Sequence, residues 1–378
     1  MQDYYQNKSA KKQARIFALY LPQFHPIAEN DTWWGKGFTE WTNVGKARKY
    51  FKNHYQPKVP ADLGYYDLRI PEIRHMQAVM AEKNGIEGFI YWHYWFGNGK
   101  RILEKPFNDT LTDNSYNFPF ALAWANESWK GLAHGVYNNK ILISQSYPSI
   151  EDYVKHFYAL LPAFKDRRYI KVNNKPIFMI YKPNEIPDVS VFINLWNKLA
   201  SDNGLSGFYF IAHHTTKKEY WGKSYEKTLA KINEQGFDAI NIMRLKGFLE
   251  NRNRLTKAIV SAKRLFKKGP FVYSYKKAHL FFSDIIDTHP MVIPTIISGW
   301  DNTPRHSRGL ILKDYTPTIF AKHVKCTINL VKDKPLEERL IILKSWNEWA
   351  EGNYMEPDIK WGNAFLEVLK KNAFCSIP

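Results

Sequence analysis

The feature that most constrains the fold is a repeated alternation of short, nearly unbroken apolar runs with stretches of helical periodicity. The apolar runs are Ile16–Leu21, Gly88–Trp92, Pro119–Trp124, Pro176–Tyr181, Gly207–Ala212, Phe237–Ile242, Met291–Ile296 and Leu340–Ser345. Runs apolar at successive positions, rather than at every second one, fit strands covered on both faces, as in a parallel sheet. Helical signals lie between them. Pro71 stands where a first turn begins, Ile73, Met76 and Met80 share one face, and Gly85 follows as a stop. Tyr153, Phe157, Leu160, Leu161 and Phe164 mark a second helix, Val189–Asp202 a third, and Ala230–Gly236 closes another. Asn173–Asn174 reads as a turn, Thr316 with Pro317 as a helix start, and Leu366–Lys371 as part of a final helix. Eight such runs with intervening helices predict an α/β fold, a (β/α)8 TIM barrel in one domain with elaborated βα loops. The expected boundaries are a basic N-terminal tail over 1–13, the barrel over 14–372 and a C-terminal tail over 373–378.

Two cysteines, Cys326 and Cys375, stand far apart in no metal-like spacing, which excludes a disulfide framework and fits a reducing compartment. The run Ile16–Leu21 is too short for the core of a signal peptide, and no stretch approaches the ~20 apolar residues of a membrane span. A cytoplasmic protein is expected. The net charge of +18, from 54 Lys and Arg against 36 Asp and Glu, fits nucleic acid, an anionic membrane surface, a phosphorylated substrate or simply a solvated lysine-rich surface. No nucleic-acid-binding module accompanies the charge, so no nucleic-acid partner is expected. Basic residues are densest in Arg252–Lys277, where Leu255, Ile259, Ala262 and Phe266 recur at helical spacing. That pattern suits a helix lying on an anionic lipid surface, and equally a surface helix packed on the barrel.

A barrel of this kind builds its active site where strands pass into βα loops. The first run is followed by Gln23, His25, Trp33, Trp34, Glu40 and Trp41, and the second ends in YWHYWF with His93, Tyr94 and Trp95. The third ends in WANESW with Trp124, Asn126 and Glu127, the fourth is followed by Lys182, and the fifth by His213 and His214. GWDNTPR after the seventh supplies Trp300, Asp301 and Arg305. SWNEWAEG at the eighth supplies Trp346, Asn347, Glu348, Trp349 and Glu351, with Glu356 just beyond. Ten of the 13 tryptophans fall in these segments, which argues for an aromatic-walled, substrate-binding cleft. Glycoside chemistry needs two carboxyl groups in different protonation states. Glu348 and Glu351 are the expected catalytic pair: one turn aims both into one pocket, and desolvation by Trp346 and Trp349 is expected to raise one pKa. The bland alternative is two solvated loop glutamates. His25, His93, His213 and His214 show no metal-ligand spacing, and glycine-rich phosphate loops are absent, so neither metal nor cofactor is expected.

The blocks ALYLPQFHPIAENDTWWGKGFTEWTNV, GFIYWHYWF, FALAWANESW, GWDNTPR and SWNEWAEGNYMEP resemble, in order, those of the WbsX-type family. The resemblance covers about residues 14–370. Members occur in gene clusters for lipopolysaccharide O-antigen and capsule assembly and are commonly labelled glycosyltransferases. The family is in turn similar to the endo-α-1,2-mannosidases of glycoside hydrolase family 99, which are (β/α)8 barrels with two catalytic glutamates in an Asn-Glu-Trp-His-Glu-Gly motif. Those glutamates match Glu348 and Glu351, while Ala350 replaces the histidine. The resemblance implies retention of configuration: Glu348 assists the substrate's 2-hydroxyl in attacking its own anomeric carbon, and Glu351 is acid and then base. It further implies cleavage or transfer of glycosyl units on an oligosaccharide or lipid-linked glycan; the charge pattern of Arg252–Lys277 separately suggests peripheral contact with the inner-membrane surface. The contrasting reading is a non-catalytic glycan-binding protein that uses the aromatic cleft.

Overall fold

The computed structural model describes residues 11–131, 140–215, 225–250 and 269–374. Eight parallel strands close on themselves: β1 (Arg15–Tyr20), β2 (Gly88–Trp95), β3 (Phe120–Trp124), β4 (Lys175–Ile180), β5 (Tyr209–Thr215), β6 (Ala239–Met243), β7 (Val292–Ile297) and β8 (Leu340–Lys344). β1 pairs with β8 through Phe17 opposite Ile342 and with β2 through Leu19 opposite Ile90, which closes the barrel. Every expected apolar run became one of these strands. Along β3, β6, β7 and β8 each residue is buried, because the barrel interior takes one face and the helices take the other.

The main helices are α1 (Pro71–Lys83), α2 (Lys105–Thr112), α3 (Ile150–Lys165), α4 (Val189–Asp202), α5 (Tyr225–Glu234), α6 (Pro317–Val331) and α7 (Ala364–Ala373). Several starts are written in the sequence. Ser149, Asp188 and Thr316 accept hydrogen bonds from the backbone N–H of Asp152, Val191 and Ile319, satisfying donors that a helix leaves free at its first turn. Asn173 and Asn174 adopt φ of 49° and 62° in the two-residue turn into β4. On α1 the buried residues are Arg74, Gln77, Ala78 and Ala81, whereas Met76 is 47% exposed. Of the expected apolar face, Ile73 and Met80 pack partly buried against the core while Met76 is left out, and the buried side also takes in Arg74, which reaches the Leu68 carbonyl, and Gln77, which reaches the Glu356 carboxylate.

The inner ends of the two expected tails meet at the base of the barrel, where the Gln13 N–H donates to the Ala373 carbonyl. Between β6 and β8 the chain adds a small parallel pair, Phe271–Ser274 with Leu310–Lys313, over a separate apolar cluster containing Phe248, Tyr275, Phe282 and Trp300. Leu255, Ile259, Ala262 and Phe266 of the expected basic helix lie outside the described residues, as does Cys375. No helix among the described residues is long and apolar enough to cross a membrane.

Candidate active site

At the C-terminal end of the barrel a cleft of about 480 Å³ opens over the strand ends. Glu348 and Glu351 both line it, with Gln23, Tyr94, Glu127, His213, Trp300 and Arg305 from the expected set. Trp92, Trp129, Tyr181, Lys344, Asn302 and His306 complete much of the wall, and none of these was among the expected site residues. Lys344 was hidden inside the eighth apolar run, as the last residue of the strand it became.

The local backbone explains how the two glutamates converge. The Lys344–Ser345 peptide is cis, and beyond it the Trp346 N–H donates to the Leu19 carbonyl. The Asn347 side chain grips the backbone N–H and carbonyl of Leu21 at 2.8 and 3.0 Å. Ser345 Oγ accepts from the Glu348 N–H at 3.0 Å and donates to the Asn353 carbonyl at 2.7 Å. Residues 349–351 then form a single 3-10 turn that ends in a left-handed Gly352, φ 66°. A Cβ at Gly352 would lie 2.7 Å from the Asp301 amide nitrogen, so only glycine fits.

The carboxyl groups differ electrostatically. Glu348 is 4% exposed; Lys344 Nζ lies 2.8 Å from its Oε1, and Trp92 Nε1 donates to the same oxygen at 3.1 Å. Burial pushes its pKa up to about 7; the Lys344 ammonium opposes this, and the negative charge of Glu351 adds to it. Burial also disfavours ionised Glu351, but there Arg305 and then Lys344 outweigh it and hold the carboxyl below the usual range. Arg305 Nη1 donates to Glu351 at 2.6 Å, while its Nε and Nη2 hold the buried Glu40 at 2.9 and 2.7 Å. Lys344 Nζ is 3.6 Å from Glu351, so one ammonium serves both carboxyl groups. Burial thus favours a proton on Glu348 and the Arg305 guanidinium favours ionised Glu351, two opposite directions within one coupled pair. Across the cleft His213 is stacked on Tyr181, and burial lowers its pKa to about 3. Asn241 donates through its amide nitrogen to Ile293 and Thr295, so its oxygen accepts from His213 Nδ1 and leaves Nε2 as an acceptor.

The remaining expected residues do not line this cleft. His93 and Trp95 point outward from β2 to α3: His93 meets His156 at 2.8 Å, and Trp95 Nε1 donates to Asp152 at 3.0 Å. Trp124 is buried beside His156 and Phe192, and Asn126 bonds the backbone of Lys182. His25 donates to the Pro22 carbonyl, and Trp34 packs behind Trp129. Trp41 packs on Trp349, whose indole N–H donates to Glu356 at 2.6 Å. Glu356 is buried and also accepts from Tyr66 and Gln77. Trp346 packs on Phe89 beneath the barrel mouth. Asp301 is buried behind Trp300, held by His54, Gln56 and Thr303. The indole against Glu348 is therefore Trp92, not Trp346 or Trp349, which turn away from the carboxyl groups. Among the described residues no group of three or more His, Cys, Asp or Glu is placed to hold a metal ion.

Comparison with known proteins agrees with this architecture. A glycoside hydrolase-like protein of known structure superposes with a TM-score of 0.60 at 13% identity, covering 99% of both chains. The GH99 endo-alpha-mannosidase from Bacteroides thetaiotaomicron, in complex with BIS-TRIS-propane, superposes at 0.55 with 14% identity, covering 94% of this chain and 95% of that one. Likeness at that identity shows the fold. Two uncharacterized WxcX proteins, from Xanthomonas campestris pv. campestris strains B100 and ATCC 33913, are 32% identical over 369 and 366 residues, covering 95% of this chain. The chain spans about half the length of these relatives, 49% of each. The family model for glycosyltransferase WbsX matches residues 16–369, and the chain belongs to that family.

Proposed function

We propose that the cleft breaks and forms glycosidic bonds with retained configuration, through Glu348 and Glu351, in the assembly of a bacterial surface polysaccharide such as O-antigen or capsule. The supporting observation is that Glu348 and Glu351 face one cleft in unlike settings, burial favouring the protonated form of the first and Arg305 the ionised form of the second. Burial favours the proton on Glu348, whereas the family resemblance gives Glu351 the acid role. One transfer reconciles the two: as substrate enters, Glu348 passes its proton to Glu351. Glu348 then takes the proton of the sugar's 2-hydroxyl while that oxygen attacks the anomeric carbon, and Glu351 protonates the departing oxygen. Glu351 next deprotonates the incoming hydroxyl that opens the anhydro sugar, and Glu348 returns a proton to the 2-oxygen. Gln23, Tyr94, His213 and Trp300 frame the sugar. The substrate is an oligosaccharide or lipid-linked glycan, and the site of action is the cytoplasm or the cytoplasmic face of the inner membrane.

The test is a panel of glycans with and without sugar nucleotides, with the product anomer read by NMR. Glu348→Gln and Glu351→Gln are each expected to lower turnover by ~10²–10⁴ in protein that remains folded, with the melting temperature of each measured alongside. Full activity in both variants would remove the assignment. Because the pair must keep one proton, kcat/KM is expected to fall as pH rises through about 7.

A further inference from the structure

Behind Trp300 lies a second cavity of about 460 Å³, within the size range of small-ligand sites. It lies between the β1–β2 connection, the loop after β7 and the loop after β8, and Trp300 lines both it and the catalytic cleft. Its walls are aromatic: Tyr55, Trp361, Tyr315 and Phe365 all line it. The Lys360 ammonium sits over Tyr55 and Trp361 at 5.1 and 4.9 Å from the ring centres.

The polar groups divide into used and unused. Both carboxylates are saturated: Asp301 accepts from His54, Gln56 and Thr303, and Asp358 from the Tyr354 hydroxyl and the backbone N–H groups of Lys360 and Trp361. Lys58 is different. Its partly buried Nζ hydrogen-bonds only the Gly352 carbonyl, at a long 3.4 Å, and sits over the face of Tyr354; Asp301 and Asp358 attract its charge across the cavity, yet it joins none of the ion pairs among the described residues. The Tyr315 hydroxyl is buried without a hydrogen-bond partner. Buried donors are ordinarily satisfied, so unspent ones at a cavity wall point to a ligand that supplies acceptors.

We infer that this cavity is a second saccharide site, for an acidic sugar whose ring lies against the aromatic wall and whose carboxylate or phosphate meets Lys58. Aromatic faces suit the C–H faces of a sugar ring, and an ammonium partly withdrawn from water binds an anionic oxygen more strongly than a neutral hydroxyl. The site adjoins the catalytic residues through one short stretch of chain. The Asp301 N–H holds the Glu351 carbonyl at 2.7 Å, and the next carbonyl, of Gly352, is the one facing Lys58. An acidic residue of a glycan is thereby held beside the catalytic cleft, a substrate preference that rests on the proposed function only for the choice of probes.

Isothermal titration of the purified full chain with methyl β-glucuronide, glucose 1-phosphate and methyl β-glucoside tests this without requiring turnover. At least one acidic probe is expected to bind about tenfold more tightly than the neutral glycoside, and the stronger of the two names the anion. Lys58→Met is expected to erase that preference, Tyr315→Phe to weaken binding a few-fold, and Trp361→Ala to weaken all probes, with melting temperatures reported for each. Equal binding of acidic and neutral probes, no binding of any, or a preference that survives in folded Lys58→Met would each overturn the proposal. Those outcomes would leave the test of Glu348 and Glu351 untouched.

Discussion

The strand ends of β2 and β8 carry much the same residue types, tryptophans interleaved with polar groups, yet they do different jobs. Along β2, Trp92 and Tyr94 enter the cleft while His93 and Trp95 turn outward onto α3. Alternation with period two makes this unavoidable: neighbours on a strand face opposite sides of the wall. The outward side became a dry aromatic layer in which Trp95 stacks on His156 at 4.5 Å and Trp124 meets the same ring at 4.8 Å. At β8 the tryptophans are also buried, but what they frame is ionic: two carboxyl groups, one ammonium and one guanidinium. An aromatic-rich segment therefore marks the mouth of the barrel without saying which of its residues meet a ligand.

The sharpest way to break this contrast is at the ionic end. Arg305→Met strands buried Glu40 and frees Glu351 from its main counter-charge. It is expected to cost about 3–5 kcal/mol at pH 8, together with most of the turnover. The loss should shrink at pH 5, because carboxylates without a cation take up protons more readily in the folded state; urea melts at both pH values measure this. An undiminished loss at pH 5 would mean that Arg305 acts by packing alone.

Next in size is the aromatic layer. Trp124→Ala removes a fully buried ring and its hydrogen bond to the Trp95 carbonyl, and is expected to cost about 3–5 kcal/mol in denaturant titrations. Glycan affinity should persist in the fraction that stays folded; its selective loss would place Trp124 at the substrate after all. Of similar size over one to two pH units is an effect from His93 and His156, whose pKa values burial pushes well below 6.5. Their contribution to stability is present above the unfolded value of about 6.5 and is lost as pH falls toward the lower folded values. The slope approaches ~1.4 kcal/mol per pH unit for each histidine. A stability curve flat between pH 6.5 and 5 in wild type, or equally steep in a His93→Gln/His156→Gln variant, would count against neutral burial. At the small end, Met76→Gln on the exposed side of α1 should change stability by less than about 0.5 kcal/mol.

The barrel was legible because its cause is local: an apolar run long enough to be buried on both faces has few homes other than a parallel sheet. The position of the glutamate pair was legible for a related reason, since strand ends are where barrels assemble their sites. What the sequence concealed was direction and partnership. Asp301 and Glu356 occupy the same kinds of loop as Glu351. The difference lies in donors brought from far along the chain, His54 and Gln56 for one, Tyr66 and Gln77 for the other. Lys344 was concealed by its setting at the end of an apolar run. On α1 the spacing found Ile73 and Met80 but not Met76's exposure, because hydrophobic periodicity carries no information about the long polar side chains that Arg74 and Gln77 send inward.

The grip of Asn347 on Leu21 also bears on when the protein becomes able to act. It bolts the last strand to the first across 326 positions of sequence, one residue before Glu348. A nascent chain emerging from the ribosome can arrange seven staves of the cask and still hold neither proposed catalytic carboxylate. The chemistry proposed for this centre needs the final stave in place, so turnover would report a finished barrel rather than a partial one.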